Sequence, residues 1–412
     1  MKEFKLKNKI KAVYKQNKDT PRVGVCLNFA INDAEKTPGA YYLMSRLLMQ
    51  GTKNYTSEQL ANLLDSNAIN LNVDMKQDYL RFRFVCLNED FELATKIMSE
   101  IILNSTFEEF EKEKIKMQGE MVAELDSARL RALDNYYKNL FKDHYYGNTH
   151  TKILENIDNI TKDTVVDSYK EILNNSKKIL SFVGDIDFEK VEKVFNENLS
   201  QIQNSEEENK TITTPTLESS NTVEIIKNDA QQAQILQGWL LPPVKDKDYP
   251  AIILLNIILG SAGLSSRLFL ELREKKGLAY TVRTCYESNE LCASFAIYIA
   301  TEPKNIKTCL EGFKEEIDKI KTIPVSETEL ENAKNNLLGK QQFVTETNAQ
   351  QANQLAYYGI NGLSFDFQEI NSERIKAITP DQIQQCAKTY FTDKYVVSIL
   401  RPEIWRTLSS SP

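Results

Sequence analysis

The pattern of apolar and polar residues divides the chain into two halves with the same order of elements. Each half begins with a continuous apolar run typical of a buried strand, at residues 23–31 in the first half and 234–241 in the second. An apolar helical segment follows each run, at 39–50 and at 249–259, and a charged helical segment comes later. This recurrence predicts a duplicated chain in which each half builds a sheet and its helices.

The charged helices of the two halves match at specific positions. An offset of 220 residues places Lys114 on Lys334 and Gly119 on Gly339. Because lysine and glycine recur at the same spacing, we interpret these segments as counterparts within one repeated unit.

Each half closes with a capped helix and a strand. Thr161 and Thr379 both precede a helical segment that has an aspartate in its first turn, which is typical of a helix N-terminus. Apolar strand segments follow at 179–183 and 395–400. Short strands separated by runs of helices predict an α+β fold of two homologous domains, each an antiparallel β-sheet with helices packed mainly on one face.

A polar stretch near the midpoint separates the halves. Residues 199–220 are rich in Ser, Asn, Glu and Thr and contain few large apolar side chains, which is typical of a linker. We therefore predict an N-terminal domain at 1–203, a linker at 204–220 and a homologous C-terminal domain at 221–412.

Composition narrows the class of protein. The net charge of −7 disfavours a nucleic-acid-binding surface, which would carry net positive charge. The N-terminus lacks the apolar run of a signal peptide, and no segment has the roughly 20 apolar residues that span a bilayer. The six cysteines include no C-x-x-C pair, which is typical of buried free thiols in a reducing compartment. We predict a soluble cytoplasmic protein that binds neither nucleic acid nor membrane.

The most specific sequence is LSSRLFLELREKKGLAY at residues 264–280. Leu268 and Leu272 lie at helical spacing and can hold one helix face against a sheet. Gly277 can end that helix in a left-handed conformation. The residues that follow alternate as a strand, with Tyr280 on the same face as its apolar neighbours.

This segment closely resembles the C-terminal-half signature of the insulinase-like zinc peptidases, a family that includes pitrilysin and the mitochondrial processing peptidase. The resemblance extends weakly over the whole duplicated chain. It implies that Arg273 and Tyr280 reach into a cleft, hold the substrate backbone and help to stabilise a tetrahedral intermediate. Gly260 and Gly263 resemble the family's glycine-rich loop, which contacts substrate in some processing peptidases. The alternatives are a surface arginine, a core tyrosine and a plain helix-to-helix turn.

The family's zinc motif is missing from the first half. Active members carry H-x-x-E-H on the first long helix, where histidines one turn apart hold zinc and the glutamate activates water. Here Tyr42 and Arg46 stand at the histidine positions and Ser45 stands at the glutamate position. Because a guanidinium keeps its protons, Arg46 cannot bind a metal. The resemblance therefore implies no zinc, and we expect no other cofactor.

The position of the family's third zinc ligand is still acidic. Glu120 lies 74 residues after Arg46, as the family pattern requires. If the fold is kept, Arg46 can replace the charge of the metal, which predicts an Arg46–Glu120 ion pair; the alternative is that both side chains point to solvent. The two histidines, His144 and His150, are spaced wrongly for one helix face, and we expect them in an exposed turn.

The resemblance also implies a division of labour. In bacterial two-chain members, one subunit carries the zinc motif and the other carries the Arg/Tyr pair. The sequence therefore predicts a non-catalytic, substrate-binding subunit of a heterodimeric zinc metalloendopeptidase, with an H-x-x-E-H subunit as partner and peptides as substrates. The alternative is a stand-alone or scaffold binding protein of the same fold. An active peptidase with an unusual site is disfavoured by the missing motif.

Overall fold

The computed structural model describes residues 1–205 and 211–403, so residues 206–210 of the predicted linker lie outside the described part. The strands are β1 (Lys2–Lys5), β2 (Lys11–Gln16), β3 (Arg22–Ala30), β4 (Asn70–Met75), β5 (Tyr79–Leu87), β6 (Lys178–Gly184), β7 (Asn221–Ile226), β8 (Ala233–Leu241), β9 (Ala279–Ser288), β10 (Ala293–Thr301) and β11 (Val396–Arg401). The helices are α1 (Ala40–Leu47), α2 (Ser57–Ser66), α3 (Phe91–Asn104), α4 (Phe110–Asp126), α5 (Ala128–Leu140), α6 (His150–Glu155), α7 (Lys162–Asn175), α8 (Phe188–Asn198), α9 (Tyr249–Asn256), α10 (Ile306–Thr322), α11 (Glu327–Val344), α12 (Asn348–Ile360), α13 (Phe367–Lys376) and α14 (Pro380–Tyr390). Two π-helical segments lie at Ile257–Ser261 and Phe269–Lys275.

Two compact units are present, and each combines segments from both halves of the sequence. Unit 1 comprises Met1–Glu120, Ile153–Ile212 and Gln341–Phe367, and unit 2 comprises Met121–Lys152, Thr213–Lys340 and Gln368–Pro412. Helix α12 therefore belongs to unit 1 and helix α5 to unit 2. The predicted boundaries at 203 and 221 divide the chain by its sequence repeat, whereas the two units divide it by spatial contacts. The boundaries therefore stay a prediction.

Each unit contains one sheet with mainly antiparallel pairing. The strand order in unit 1 is β1-β2-β6-β3-β5-β4, and only the β2–β6 pair is parallel. The order in unit 2 is β7-β11-β8-β10-β9, and only the β7–β11 pair is parallel. The predicted α+β class is confirmed.

Helices cover both faces of the unit 1 sheet. On one face, the ring of Phe91 in α3 packs edge-on against Phe182 of β6 and Phe195 of α8, each at a centroid distance of 5.3 Å. On the opposite face, Leu355 of α12 joins Ile179 of β6 in a separate buried cluster. Successive residues of β6 point to opposite faces, so this one strand contributes to both cores.

The unit 2 sheet is also covered on both faces. Trp239 of β8 and Phe295 of β10 pack against Phe391, which follows α14, at centroid distances of 4.8 and 5.0 Å. On the other face lies α5, whose Tyr136 is completely buried and donates a hydrogen bond to the carbonyl of Phe295 at 3.5 Å.

Helix α12 comes from the second half of the sequence but packs in unit 1, and helix α5 comes from the first half but packs in unit 2. We call these two the exchanged helices, and equivalent serine contacts hold them. Ser181 of β6 donates to the backbone carbonyl of Ala352 in α12 at 2.7 Å, and Ser398 of β11 donates to that of Ala132 in α5 at 3.1 Å. Ala132 and Ala352 differ by the same 220 residues as the charged helices. The two exchanged helices are therefore counterparts in the duplicated sequence.

The matched lysines make the same contact in both units. Lys114 of α4 donates to the carbonyl of Ile160 at 2.8 Å, and Lys334 of α11 donates to that of Lys376 at 2.9 Å. Each lysine ties its charged helix to the turn that precedes the capped helix. The correspondence predicted from the sequence is confirmed.

Two further observations concern the cysteines and the length of the helices. All six cysteines are free, and only Cys285 is partly exposed. Among the described residues, no helix combines the length and the apolar character needed to cross a membrane.

Candidate functional site

Helix α1 presents the degenerate zinc positions of unit 1. Its apolar residues are buried in the core of the unit, which fixes the rotation of the helix. Tyr42 is partly exposed, and the guanidinium of Arg46 lies 5.9 Å from the centre of its ring. Ser45 is buried and donates to the carbonyl of Tyr42 at 2.8 Å, so its hydroxyl is engaged by the helix itself.

Arg46 binds two glutamates of helix α4. Its Nη1 donates to Oε2 of Glu120 at 2.6 Å and its Nη2 to Oε1 of the same carboxylate at 3.3 Å. Its Nε donates to Oε2 of Glu113 at 3.2 Å, and its Nη2 lies 3.1 Å from that oxygen. The ion pair predicted between Arg46 and Glu120 is present, and the alternative of two independent solvent-facing side chains is wrong.

The sequence analysis missed Glu113. It lies seven residues before Glu120, which is two helical turns, so both carboxylates face α1. Its side chain is only 4% exposed, whereas that of Glu120 is 45% exposed. The seven-residue spacing was visible in the sequence, but only the position equivalent to a zinc ligand was considered.

The charges in this cluster support one another. Burial lowers the pKa of Arg46, but the hydrogen bond and charge of Glu120 and the charge of Glu113 outweigh that effect, so its pKa lies above its ordinary value. The same hydrogen bond from Arg46 lowers the pKa of the Glu120 carboxyl. Arg46 and Glu120 are therefore both charged at neutral pH.

Zinc does not fit these residues. The guanidinium of Arg46 occupies the carboxylates that a metal would need, and a second cation beside it would be repelled. Across the described ranges, no group of three or more His, Cys, Asp or Glu side chains is arranged to hold a metal ion. The unit 1 site has become an arginine–glutamate cluster that joins two helices.

The two histidines lie in unit 2, and the predicted exposed turn is wrong. Tyr145 and Tyr146 are buried, and the Nδ1 atom of His144 accepts a hydrogen bond from the backbone of Tyr146 at 3.1 Å. Burial lowers the pKa of His144. His150 lies 3.3 Å from a carboxylate oxygen of Glu124. The turn is a packing element built from aromatic rings.

In unit 2, the signature segment forms a helix that leads directly into an edge strand. Leu268 and Leu272 are buried as predicted, and the π-helical segment Phe269–Lys275 carries Arg273. Gly277 has φ 63°, and its N–H donates to the carbonyl of Arg273 at 3.1 Å. The predicted left-handed glycine at the helix end is confirmed.

Tyr280 leaves the face that the sequence alternation assigned to it. Ala279 pairs with Thr301 and Thr281 pairs with Ala300, so Tyr280 is the additional residue of a β-bulge. Tyr280 is 82% exposed, while Leu278 and Val282 are buried. The expected shared face and the alternative of a core tyrosine are both wrong.

Arg273 is oriented by the strand that it precedes. Its Nη1 donates to the backbone carbonyl of Tyr280 at 2.7 Å, and its guanidinium lies over the ring of Phe269 at 4.6 Å. Among the described residues the carbonyl of Tyr280 is its one hydrogen-bond acceptor, and its Nε lies 3.9 Å from a carboxylate oxygen of Glu274, which is beyond hydrogen-bond distance. The structure therefore brings Arg273 to the backbone of Tyr280, while the phenol stands free in solvent.

The two glycines of the predicted loop have different surroundings. Gly260 is buried against β9, where a Cβ atom would collide with the backbone nitrogen of Thr284. Gly263 has φ 72°, lies in open space and is followed by the exposed Leu264. Close packing explains Gly260, whereas a role of Gly263 in contacting substrate stays a prediction.

Arg267 is a structural residue of the signature that the sequence analysis left without a role. Its Nε and Nη2 donate to the two carboxylate oxygens of Glu329 at 2.8 and 2.7 Å. This bidentate pair fastens the beginning of the signature helix to α11. The helix that carries Arg273 is therefore held at both ends, by Arg267 and by the turn at Gly277.

The chain combines a duplicated α+β fold, an arginine in place of a metal and an exposed Arg/Tyr pair. These features define a protein with the framework of a zinc peptidase but without its metal centre. Residues 10–153 match the family model described as insulinase (peptidase family M16), and residues 159–337 match the model described as the peptidase M16 inactive domain. The chain belongs to peptidase family M16, as a member that lacks the family's zinc motif.

Relatives and solved structures resemble the chain over nearly its whole length. The non-peptidase homolog YmxG of Helicobacter pylori is 25% identical, covering 93% of this chain and 89% of its own. The uncharacterized zinc protease YmxG of Bacillus subtilis is 23% identical and covers 98% of both chains. A crystal structure of a peptidase M16 inactive domain from Pseudomonas fluorescens has a TM-score of 0.87 at 20% identity and covers 98% of both chains, which supports the fold.

Proposed function

We propose that this chain is the non-catalytic, substrate-binding subunit of a heterodimeric zinc metalloendopeptidase. Its partner carries H-x-x-E-H, binds the zinc and activates the water. This chain contributes Arg273 and Tyr280 to the partner's active site and binds peptide substrates. It acts in the cytoplasm, without a cofactor of its own.

The observation that carries this proposal is the contrast between the two sites. In unit 1, every nitrogen of the Arg46 guanidinium contacts a glutamate, so little of its hydrogen-bonding capacity is left for a substrate. In unit 2, Arg273 is oriented by one backbone contact and Tyr280 is presented by a bulge. Loss of one site beside an intact other site fits a division of labour between two chains.

The chemistry expected of the pair follows from its donors. The fork of Arg273 can hold a peptide carbonyl, and the phenol of Tyr280 can donate to the oxyanion that forms when water attacks. Donors fixed in advance need little reorganisation during the reaction. Gly263 and the exposed residue after it extend the peptide contact.

The first experiment is a pull-down of the tagged chain from its native host, with stoichiometric partners identified by mass spectrometry. We expect a partner that carries H-x-x-E-H. The purified complex is then assayed with Arg273→Ala, and we expect kcat/KM to fall about 100-fold, because the variant removes the charged hydrogen-bond donor to the peptide carbonyl. The affinity between the subunits should not change.

The matched control is Lys275→Ala, which removes a positive charge from the same helical segment. Lys275 pairs with Glu271 at the helix surface, so turnover should stay within about twofold of the wild type. Unchanged turnover in Arg273→Ala would remove the Arg/Tyr contribution. A partner without H-x-x-E-H, or no partner, would instead favour a stand-alone or scaffold binding protein of the same fold.

A further inference from the structure

The sheet face beneath α12 in unit 1 carries a positively charged patch at one end. Helix α12 packs on β3 and β6, and Tyr79 of β5 joins the buried cluster beneath it. Because strand residues alternate between faces, Arg81 and Arg83 lie on the same face as Tyr79. Asp74 of β4 pairs with Arg81 in the register and therefore also lies there.

Asp74 neutralises only part of this patch. Arg81 donates to both of its carboxylate oxygens, at 2.9 and 2.7 Å, and Lys76 lies 2.9 Å from one of them. The Nε atom of Arg83 is 4.0 Å from the same carboxylate, which is too far for a hydrogen bond. That Nε is buried, and it has no hydrogen-bond partner among the described residues. Three positive charges therefore share one carboxylate.

Asn28 adds a second unpartnered donor beside the arginines. It pairs with Arg81 in the β3–β5 register and is only 1% exposed. The thiol of Cys26 donates to its Oδ1 at 3.4 Å, which leaves the Nδ2 group to act as a donor. Within the described chain, Nδ2 has no partner. A buried amide donor without an acceptor is uncommon in folded proteins.

The corresponding strands of unit 2 show how such groups can be satisfied internally. There the guanidinium of Arg283 lies over the ring of Tyr298 at 5.7 Å. The hydroxyl of Tyr298 in turn donates to Gln234 at 2.6 Å. Among the described residues of unit 1, no aromatic ring lies over Arg81 or Arg83, and the Nε of Arg83 and the Nδ2 of Asn28 have no acceptor.

We propose that Asn28, Arg81 and Arg83 form a binding site for a carboxylate group of an acidic peptide. All available groups are donors, and a guanidinium fork matches the two oxygens of a carboxylate. The side chain of Arg83 is 40% exposed and gives access, while Asn28 forms the buried end. The inference rests on the proposed peptide-binding function and specifies its substrate class as peptides rich in Asp or Glu.

Fluorescence anisotropy of the free full-length chain tests this site with two labelled peptides. One peptide carries several glutamates, and the other has the same sequence with glutamine at those positions. We expect the wild type to bind the acidic peptide at least tenfold more tightly. Arg83→Gln should abolish this preference, and Arg83→Lys should keep part of it, because the charge remains while the fork is lost.

The control is Lys15→Gln, which removes an exposed charge from β2 of the same unit. It should keep the full preference for the acidic peptide. Equal binding of both peptides by the wild type, or an equal loss of preference in Lys15→Gln, would overturn the site.

The outcomes separate this inference from the proposed function, because the binding assay needs no partner subunit. A functional complex whose free subunit shows no acidic preference removes only the carboxylate site. A clear acidic preference without any H-x-x-E-H partner removes only the two-subunit peptidase.

Discussion

Arg46 explains how an M16 chain can lose its metal and keep two carboxylates facing one helix. Glu113 and Glu120 would repel each other and any other negative group if no cation lay between them. A guanidinium supplies that cation permanently and contacts both carboxylates in directions that a single histidine could not reach. The substitution of histidine by arginine therefore does more than remove a ligand, because it rebuilds the charge balance.

This account predicts unequal effects of removing the partners. Arg46→Met leaves Glu113 buried, with Lys116 at 3.9 Å as its remaining cation, and we expect a loss of about 3 kcal/mol in the free energy of unfolding. Glu120→Gln changes an exposed partner and should cost less than about 1 kcal/mol. Urea denaturation of the purified variants measures both values.

A double variant provides the control for the buried charge. Arg46→Met combined with Glu113→Met removes the unpaired carboxylate, so most of the lost stability should return. If Arg46→Met and Glu120→Gln were equally mild, the cluster would be a surface feature without a structural role.

At the scale of elements, irregular backbone is concentrated around β9. Two π-helical segments precede β9, one before and one after the loop at Gly263. A bulge then interrupts the strand at Tyr280. Such irregularities weaken regular hydrogen bonding and are found frequently at functional sites. Their occurrence in the segment that carries Arg273 supports a role for this edge of unit 2.

Two glycines give opposite predictions for the packing of elements. A Cβ atom on Gly24 of β3 would lie 2.6 Å from the carbonyl oxygen of Asn348, at the start of α12. Gly24→Ala should therefore destabilise the protein by about 2 kcal/mol through overpacking. In α11, a Cβ atom on Gly339 would meet no other atom within 4 Å, and Gly339→Ala should stabilise by up to about 1 kcal/mol.

Thermal unfolding of the two variants distinguishes these effects by sign. Opposite shifts of Tm relative to the wild type are expected. A neutral Gly24→Ala would mean that α12 can move away from β3 at little cost.

The same elements show what the sequence could and could not predict. Local patterns located the strands and the capped helices, since Thr161 and Thr379 both accept hydrogen bonds from backbone N–H groups three residues later. The bulge at Tyr280 escaped prediction because it depends on the register with β10, which local alternation does not contain. The sheet on which α12 packs could not be predicted for a similar reason, because the apolar face of a helix does not specify which sheet it will cover.

At the scale of the whole molecule, the exchange of α5 and α12 makes each unit depend on both halves of the sequence. A fragment that ends at residue 203 contains the strands of unit 1 but lacks α12. Its apolar residues beneath that helix, such as Val13 and Ile179, would then face water. The hydroxyl of Ser181 would also lose its acceptor on Ala352.

We therefore expect fragments 1–203 and 204–412 to fold poorly alone and to form a stable complex when they are co-expressed. Each fragment alone should bind a hydrophobic dye and lack a cooperative urea transition, whereas the pair should recover one. The control is Ala352→Asp in the second fragment, which places a charge in the buried cluster and should prevent the rescue. A cooperative transition of fragment 1–203 alone, with the stability of the full chain, would show that α12 is dispensable. Rescue by the native fragment and its loss in the variant would show that the duplicated halves fold as one interdependent molecule.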